Sequence, residues 1–224
     1  MKKIRIDSSK NKIRLKDFLI KKEEEVNLEL IFPPNFKIDL QDDLLTAGVL
    51  KSSITLILNE NSIVNYTFDA TQKISGKKDD EITKTLKISL EARGSQANVK
   101  VSCLGEGEQK YKIETIQHHK AEETRSDLTI KSVLLEKSAL ISNNLIRVEE
   151  GISKIFASEN TKSLLLGEEA RFSATPKLEV KSDDVSCKHG AAISRLDEEQ
   201  LFYLQSRGMS LGESKKFLVD AFLK

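Results

Sequence analysis

A chain of 224 residues, 38% of them hydrophobic, is long enough to bury the core of one substantial domain, or of one domain with a small appendage. Its 36 basic and 35 acidic residues leave a formal net charge of +1, so no global field draws nucleic acid or an anionic membrane and any partner must be met by a local patch. Aromatic residues make up only 5% and Trp is absent, which removes the stacking platforms of single-strand nucleic-acid binders and thins the walls of a small-molecule pocket.

Lys2 and Lys3 open the chain, but Asp7, Lys10, Lys12 and Arg14 interrupt it before the apolar region of a signal peptide forms. No run approaches the roughly 18 apolar residues of a membrane span, so a cytoplasmic protein is expected. In that reducing compartment Cys103 and Cys187 are expected as thiols, Cys103 as a small buried hydrophobe. Over the first 45 residues, Ile4 and Ile6, Ile13 and Leu15, and Val26, Leu28 and Leu30 predict edge strands around the charged stretch Lys21 to Glu25, and Pro33 with Pro34 is expected to break any ladder.

From Ile54 onward, apolar residues recur at every second position in short bursts: Ile54 to Leu58, Val64 to Phe68, Leu86 to Leu90, Val99 to Cys103, then Tyr111 and Ile113, Leu128 and Ile130, and Val133 and Leu135. The series continues with Ala139 and Ile141, Ile146 and Val148, Leu164 and Leu166, Ala170 and Phe172, Leu178 and Val180, and Val185 and Cys187. Gly76 to Asp80 reads as a solvated hairpin tip. Such closely spaced strands fit a sandwich, a barrel or a β-solenoid, and the scarcity of long amphipathic helices before residue 196 removes an α/β layering. Periodicity does not choose among the three, and with no hexapeptide or leucine-rich signature a solenoid would be irregular.

After residue 195 the spacing turns helical. Asp197 with Gln200 marks one capped start, Arg207 and Gly208 an end, and Ser210 with Glu213 a second capping box, so two short helices form a hairpin. Leu201, Phe202, Tyr203, Leu204, Phe217, Leu218 and Phe222 are more apolar surface than two helices hide on themselves, and it must pack on the body or on a partner.

Chemistry-bearing residues are few. Cys187 and His189, two apart on a strand, project from one face, and a thiolate with an imidazole suits iron, although two ligands do not complete a cluster. His118 and His119 are adjacent on a strand, face opposite ways and cannot chelate one metal together. No phosphate-binding loop, nucleophile elbow or metalloprotease helix occurs, so no enzyme activity is expected.

The run Thr124 to Lys131, Leu164 to Gly167, Pro176 to Val180 and Asp183 to Val185 resembles the SufB/SufD core family of iron–sulfur cluster assembly. The most specific piece is Cys187-Lys188-His189-Gly190-Ala191-Ala192 followed by Leu196 to Gly208, which is similar to the C-terminal signature of SufD-like members. SufB-like members carry Glu-His-Glu in place of Lys188 to Gly190 and a cysteine in place of Thr161, whereas Cys-x-His-Gly is SufD-like. The similarity runs over about residues 115 to 223, and the chain resembles a reduced member or one without the usual N-terminal helical domain.

The resemblance implies a mainly β fold, a right-handed parallel β-helix over residues 1–195, with a two-helix module over 196–224 that docks a SufC-like ABC ATPase. It implies docking through Leu201, Phe202, Tyr203, Arg207, Gly208, Phe217 and Phe222, and pairing of the β-helix with a SufB-like subunit or a second copy of itself. Cys187 and His189 then lie at a subunit interface where an iron–sulfur cluster is held transiently, with no cofactor bound stably and no nucleic-acid or membrane partner. The competing expectation is a β-solenoid carbohydrate-active or binding module, which needs carboxylates or aromatics arrayed along one groove.

Overall fold

A computed structural model describes residues 2–6, 11–19, 25–71 and 81–223, and the segment Gly76 to Asp80 lies outside them. The strands in chain order are β1 (Lys2–Arg5), β2 (Lys12–Arg14), β3 (Glu25–Phe32), β4 (Lys37–Asp42), β5 (Lys51–Leu58), β6 (Ile63–Ala70), β7 (Glu81–Leu90) and β8 (Gln96–Gly105). They continue as β9 (Lys110–His119), β10 (Arg125–Leu134), β11 (Ala139–Val148), β12 (Ile155–Leu165), β13 (Arg171–Val180) and β14 (Val185–Ser194), and two helices follow, α1 (Glu198–Ser206) and α2 (Leu211–Leu223).

Odd-numbered strands form one seven-stranded sheet and even-numbered strands another, each in simple numerical order. All pairs are parallel, because each strand bonds to the one a full coil later while the intervening strand crosses over in the opposite sheet. The chain is therefore a flattened parallel β-solenoid with about 30 residues per rung, within the range of solenoid repeats.

Alternation decides which side chains fill it. Leu30, Leu56 and Ile88 stack in register on the inner face, as do Leu28, Ile54 and Leu86. Each is almost wholly buried, and each such side chain contributes on the order of 1.5–3 kcal/mol of hydrophobic stabilisation. The early rungs are mainly apolar but enclose a buried ion pair: Lys84 pairs with Asp42, which also accepts a hydrogen bond from the Tyr66 hydroxyl, while Lys84 Nζ donates to Ser52 Oγ at 2.9 Å.

The corners explain how irregular loops still stack. Asn35, Asn61, Gly94, Glu123 and Lys154 all take left-handed φ angles, from 52° to 73°. Their amides reach the next rung: Asn35 N donates to Glu60 O, Asn61 N to Arg93 O, Gly94 N to Glu122 O and Glu123 N to Ser153 O. Asn and Gly adopt this conformation readily. Glu123 and Lys154 do not, and they are joined to each other and to Arg93 by ion pairs of 2.8 and 2.9 Å.

Several sequence expectations change here. Pro33 and Pro34 do not break a ladder, because they occupy the turn between β3 and β4, which belong to different sheets and do not bond to each other. Of the N-terminal strands only β1 and β2 are edges, while β3 and β4 are paired on both sides. The segments around Ala139 and Ile146 are one strand, β11, in which Leu140 points inward and Ile141 is 43% exposed. His118 and His119 do face opposite ways: His118 meets Glu149 outside at 2.6 Å, and His119 is buried between Thr124 Oγ1 and Ser126 Oγ, both at 2.8 Å. Cys103 is fully buried, and burial drives its thiol pKa up.

Both helix starts are capped by side chains. Asp197 accepts from the amides of Glu199 and Gln200, and Ser210 and Glu213 bond reciprocally. Between the helices Gly208, at φ 93°, gives its amide to Gln205 O while Met209 N reaches Leu204 O, the paired bonds of a Schellman termination. The C-terminal helix lies against the outer face of β10, where Phe222 sits 5.9 Å from Lys131 Nζ and the outward-facing Val133 is fully buried. No helix among the described residues is long and apolar enough to cross a membrane.

Candidate functional site

The last rung is where the solenoid stops being covered. The inward column of β14 is Val185, Cys187, His189, Ala191 and Ile193, stacked in register on Ile155, Ala157, Glu159, Thr161 and Ser163 of β12. The residues below are buried, but nothing among the described residues stacks on the rung above. Ile193 is 58% exposed, Leu178 and Val180 of β13 are also open, and both strands keep one unpaired edge. Apolar side chains beside free strand edges favour pairing with another chain.

Cys187 and His189 lie in this column, on the same face, with Cys187 half-buried and His189 exposed. Burial raises the Cys187 thiol pKa, so at neutral pH the sulfur keeps its proton until a metal or a positive partner displaces it. Among the described residues no three His, Cys, Asp or Glu side chains converge to hold a metal ion. Cys187 and His189 thus offer two candidate donors on one face, fewer than the four ligands a cluster commonly takes.

Beneath them the interior turns polar. Glu159, 3% exposed and opposite His189, accepts at Oε1 from Asn144 Nδ2 at 3.0 Å and from the Thr161 hydroxyl, and Asn144 Oδ1 in turn accepts from Thr115 Oγ1 at 2.8 Å. Glu159 Oε2 has no hydrogen-bond partner among the described residues. Desolvation raises the Glu159 pKa, with the Thr161 and Asn144 hydrogen bonds and the neighbouring His189 opposing it.

The helical hairpin forms a second exposed surface. Leu201, Leu204, Leu218 and Phe222 are half-buried, whereas Phe202 is 74%, Tyr203 56% and Phe217 54% exposed. Arg207, which ends the first helix, lies 5.2 Å from the Tyr203 ring, so a cation covers part of the aromatic cluster. The question left by the apolar surplus thus has a divided answer: part of it packs on the body, and three aromatic rings remain free.

A family model described as SUF system FeS cluster assembly, SufBD core domain, matches residues 72–222. The chain belongs to this SufBD family. It is 36% identical over 92 residues to the iron–sulfur cluster assembly protein SufD of Escherichia coli K12, covering 41% of this chain and 22% of that protein. With SufD of Bacillus subtilis 168 it shares 31% identity over 135 residues, 60% of this chain and 31% of the relative. With the chloroplastic protein ABCI7 of Arabidopsis thaliana it shares 43% over 77 residues, 34% and 16% of the two chains. The matched region thus spans less than a third of these relatives' length. The SufBD match extends upstream of residue 115, where the motif resemblance begins.

Sequence reasoning singled out Cys187, His189 and the helix aromatics but missed Glu159 and Asn144. The available signal was the alternation Ile155, Ala157, Glu159, Thr161, Ser163, a strand whose inward positions are mostly polar and so do not read as an apolar burst.

Proposed function

We propose that the chain is a non-catalytic, SufD-like scaffold subunit of the SUF iron–sulfur cluster assembly system. Its open last rung pairs with a SufB-like subunit or with a second copy of itself, and its helical hairpin docks a SufC-like ABC ATPase. The nascent cluster is transient cargo near Cys187 and His189. The observation that carries this reading is the final rung, whose inner column bears Cys187 and His189 beside exposed Ile193 and two unpaired strand edges.

A scaffold of this kind works by stiffness. A parallel solenoid with interlocked rungs behaves as a nearly rigid rod, so displacement of the hairpin moves β10, on which its second helix rests, and the end rung two strands away in the same sheet. The ATPase supplies the stroke and the partner supplies the remaining ligands. The test is affinity capture of the ATPase by the full chain and by a chain ending at Arg195, with cluster maturation scored in cells carrying His189→Ala. Loss of capture on truncation and loss of maturation in the variant are expected. Undiminished capture removes the docking role, and normal maturation removes His189 from the cluster site.

A further inference from the structure

The polar residues beneath the last rung assign a role to a side chain outside the Cys-x-His-Gly signature. In β12 and β14 Glu159 and His189 are directly opposite, and neighbouring strands lie about 4.8 Å apart, so the two side chains project side by side from the same face. One carboxylate oxygen, Oε1, is held by Asn144 and Thr161 from within the solenoid. The other, Oε2, is buried with no hydrogen-bond partner among the described residues. Buried polar atoms in native proteins are nearly always satisfied, and a carboxylate oxygen is a strong acceptor that requires a donor. Above it on β14, Ala191 offers no donor and Cys187 only a weak one, while His189 carries a ring N–H.

We propose that Glu159 is the positioning residue of His189: its free oxygen accepts a hydrogen bond from the imidazole and fixes both the ring's rotamer and its tautomer at the open end of the solenoid. An exposed histidine otherwise samples several rotamers and both neutral tautomers. A carboxylate behind the ring leaves the other nitrogen as the lone pair facing outward, the arrangement by which ligating histidines are usually supported. Asn144 and Thr161 hold Glu159 in turn, which makes the buried polar group a foundation for the rung above it. The functional consequence rests on His189 serving the cluster site as proposed above, but the pairing itself does not.

The experiment is a long-range proton–nitrogen spectrum of the ring nitrogens in the full chain, labelled with 15N at its three histidines, at a pH where the imidazoles are neutral. His189→Gln assigns the signals, and the buried His119 reports that the fold is intact. In the unmodified chain His189 shows one tautomer. Glu159→Leu removes the acceptor and gives the tautomer mixture of a free imidazole. Glu159→Gln keeps an oxygen for Asn144 and Thr161 but turns an amide donor toward the ring, so the tautomer inverts. Unchanged His189 signals in Glu159→Leu overturn the pairing. If that variant does not fold, unchanged signals in Glu159→Gln overturn it equally. Maturation in His189→Ala cells reports separately on the cluster-site reading: normal maturation discards that reading alone, and lost maturation with an indifferent ring spectrum discards Glu159 alone.

Discussion

Phe202 and Phe217 carry the docking hypothesis quantitatively. A phenylalanine presents on the order of 200 Å², so at exposures of 74% and 54% the two rings hold roughly 250 Å² of apolar surface outside the body. Covered completely by a partner at about 25 cal/mol per Å², that surface has a ceiling of about 6 kcal/mol. Side-chain ordering and imperfect desolvation consume a large part of it, and a net loss of about 3 kcal/mol is expected for Phe202→Ser with Phe217→Ser, a roughly 100-fold weaker Kd for the SufC-like ATPase. Because neither ring is buried in the free chain, the melting temperature should hardly move, in keeping with surface substitutions within about 0.5 kcal/mol. Leu218→Ala is the contrasting control: it is half-buried and should lower stability. Titration calorimetry with the ATPase, alongside thermal melting of each variant, separates the two effects. An unaltered Kd in the double variant, or a fall in its melting temperature as large as that of Leu218→Ala, would refute the reasoning.

Three further outcomes follow from the packing. Lys84→Met strands Asp42 in the core with Tyr66 and the Leu44 amide as its remaining partners among the described residues. It should cost about 3–5 kcal/mol in denaturant unfolding, with Asp42→Leu added in the same chain restoring most of it, and equal stability of the single variant would show that the pair is not buried. His119 is held neutral inside the solenoid, chiefly by desolvation, which lowers its pKa from 6.5 to about 4. The unfolded chain therefore binds the proton more tightly, the contribution is complete above pH 6.5 and is lost as pH falls toward about 4, and about 2 kcal/mol should be gone near pH ~5. Urea melts of the wild type and of His119→Gln across that window should show the steeper acid loss in the wild type, and parallel profiles would contradict it. Ile193→Asp places a charge on the open rung and should convert a paired species to a monomer in sedimentation without altering the fold, whereas a persistent pair would locate the interface elsewhere.

Where apolar residues alternate without interruption, the strands were legible: Ile54 to Leu58 and Val64 to Phe68 fall inside β5 and β6, which run further, from Lys51 to Leu58 and from Ile63 to Ala70. Legibility failed where the interior turns polar. The strand β9 runs on through Thr115, Gln117 and His119, all inward and buried, and β11 is continuous across Ser142 and Asn144. A strand detector built on hydrophobic alternation sees such segments end early. The Cys187 and His189 pair shares one face as its spacing requires, but its neighbour Glu159 is about 30 residues away, a separation that carries no local signal.

By itself the sequence determined what is local: two-residue periodicity and hence strands, the capping boxes of Asp197 and Ser210, the glycine that ends the first helix, and the placing of Cys187 and His189 on one strand face, in a motif that resembles SufD-like members. Those depend on a residue and its near neighbours, which is why they read directly. The tertiary structure decided which side chains meet, because in a parallel coil every contact between rungs joins residues a full turn apart, and that turn length is set by how the left-handed corners stack. The same coil placed Lys84 beside Asp42 and Glu159 beneath His189, and it left the last rung exposed because stacking requires a rung above.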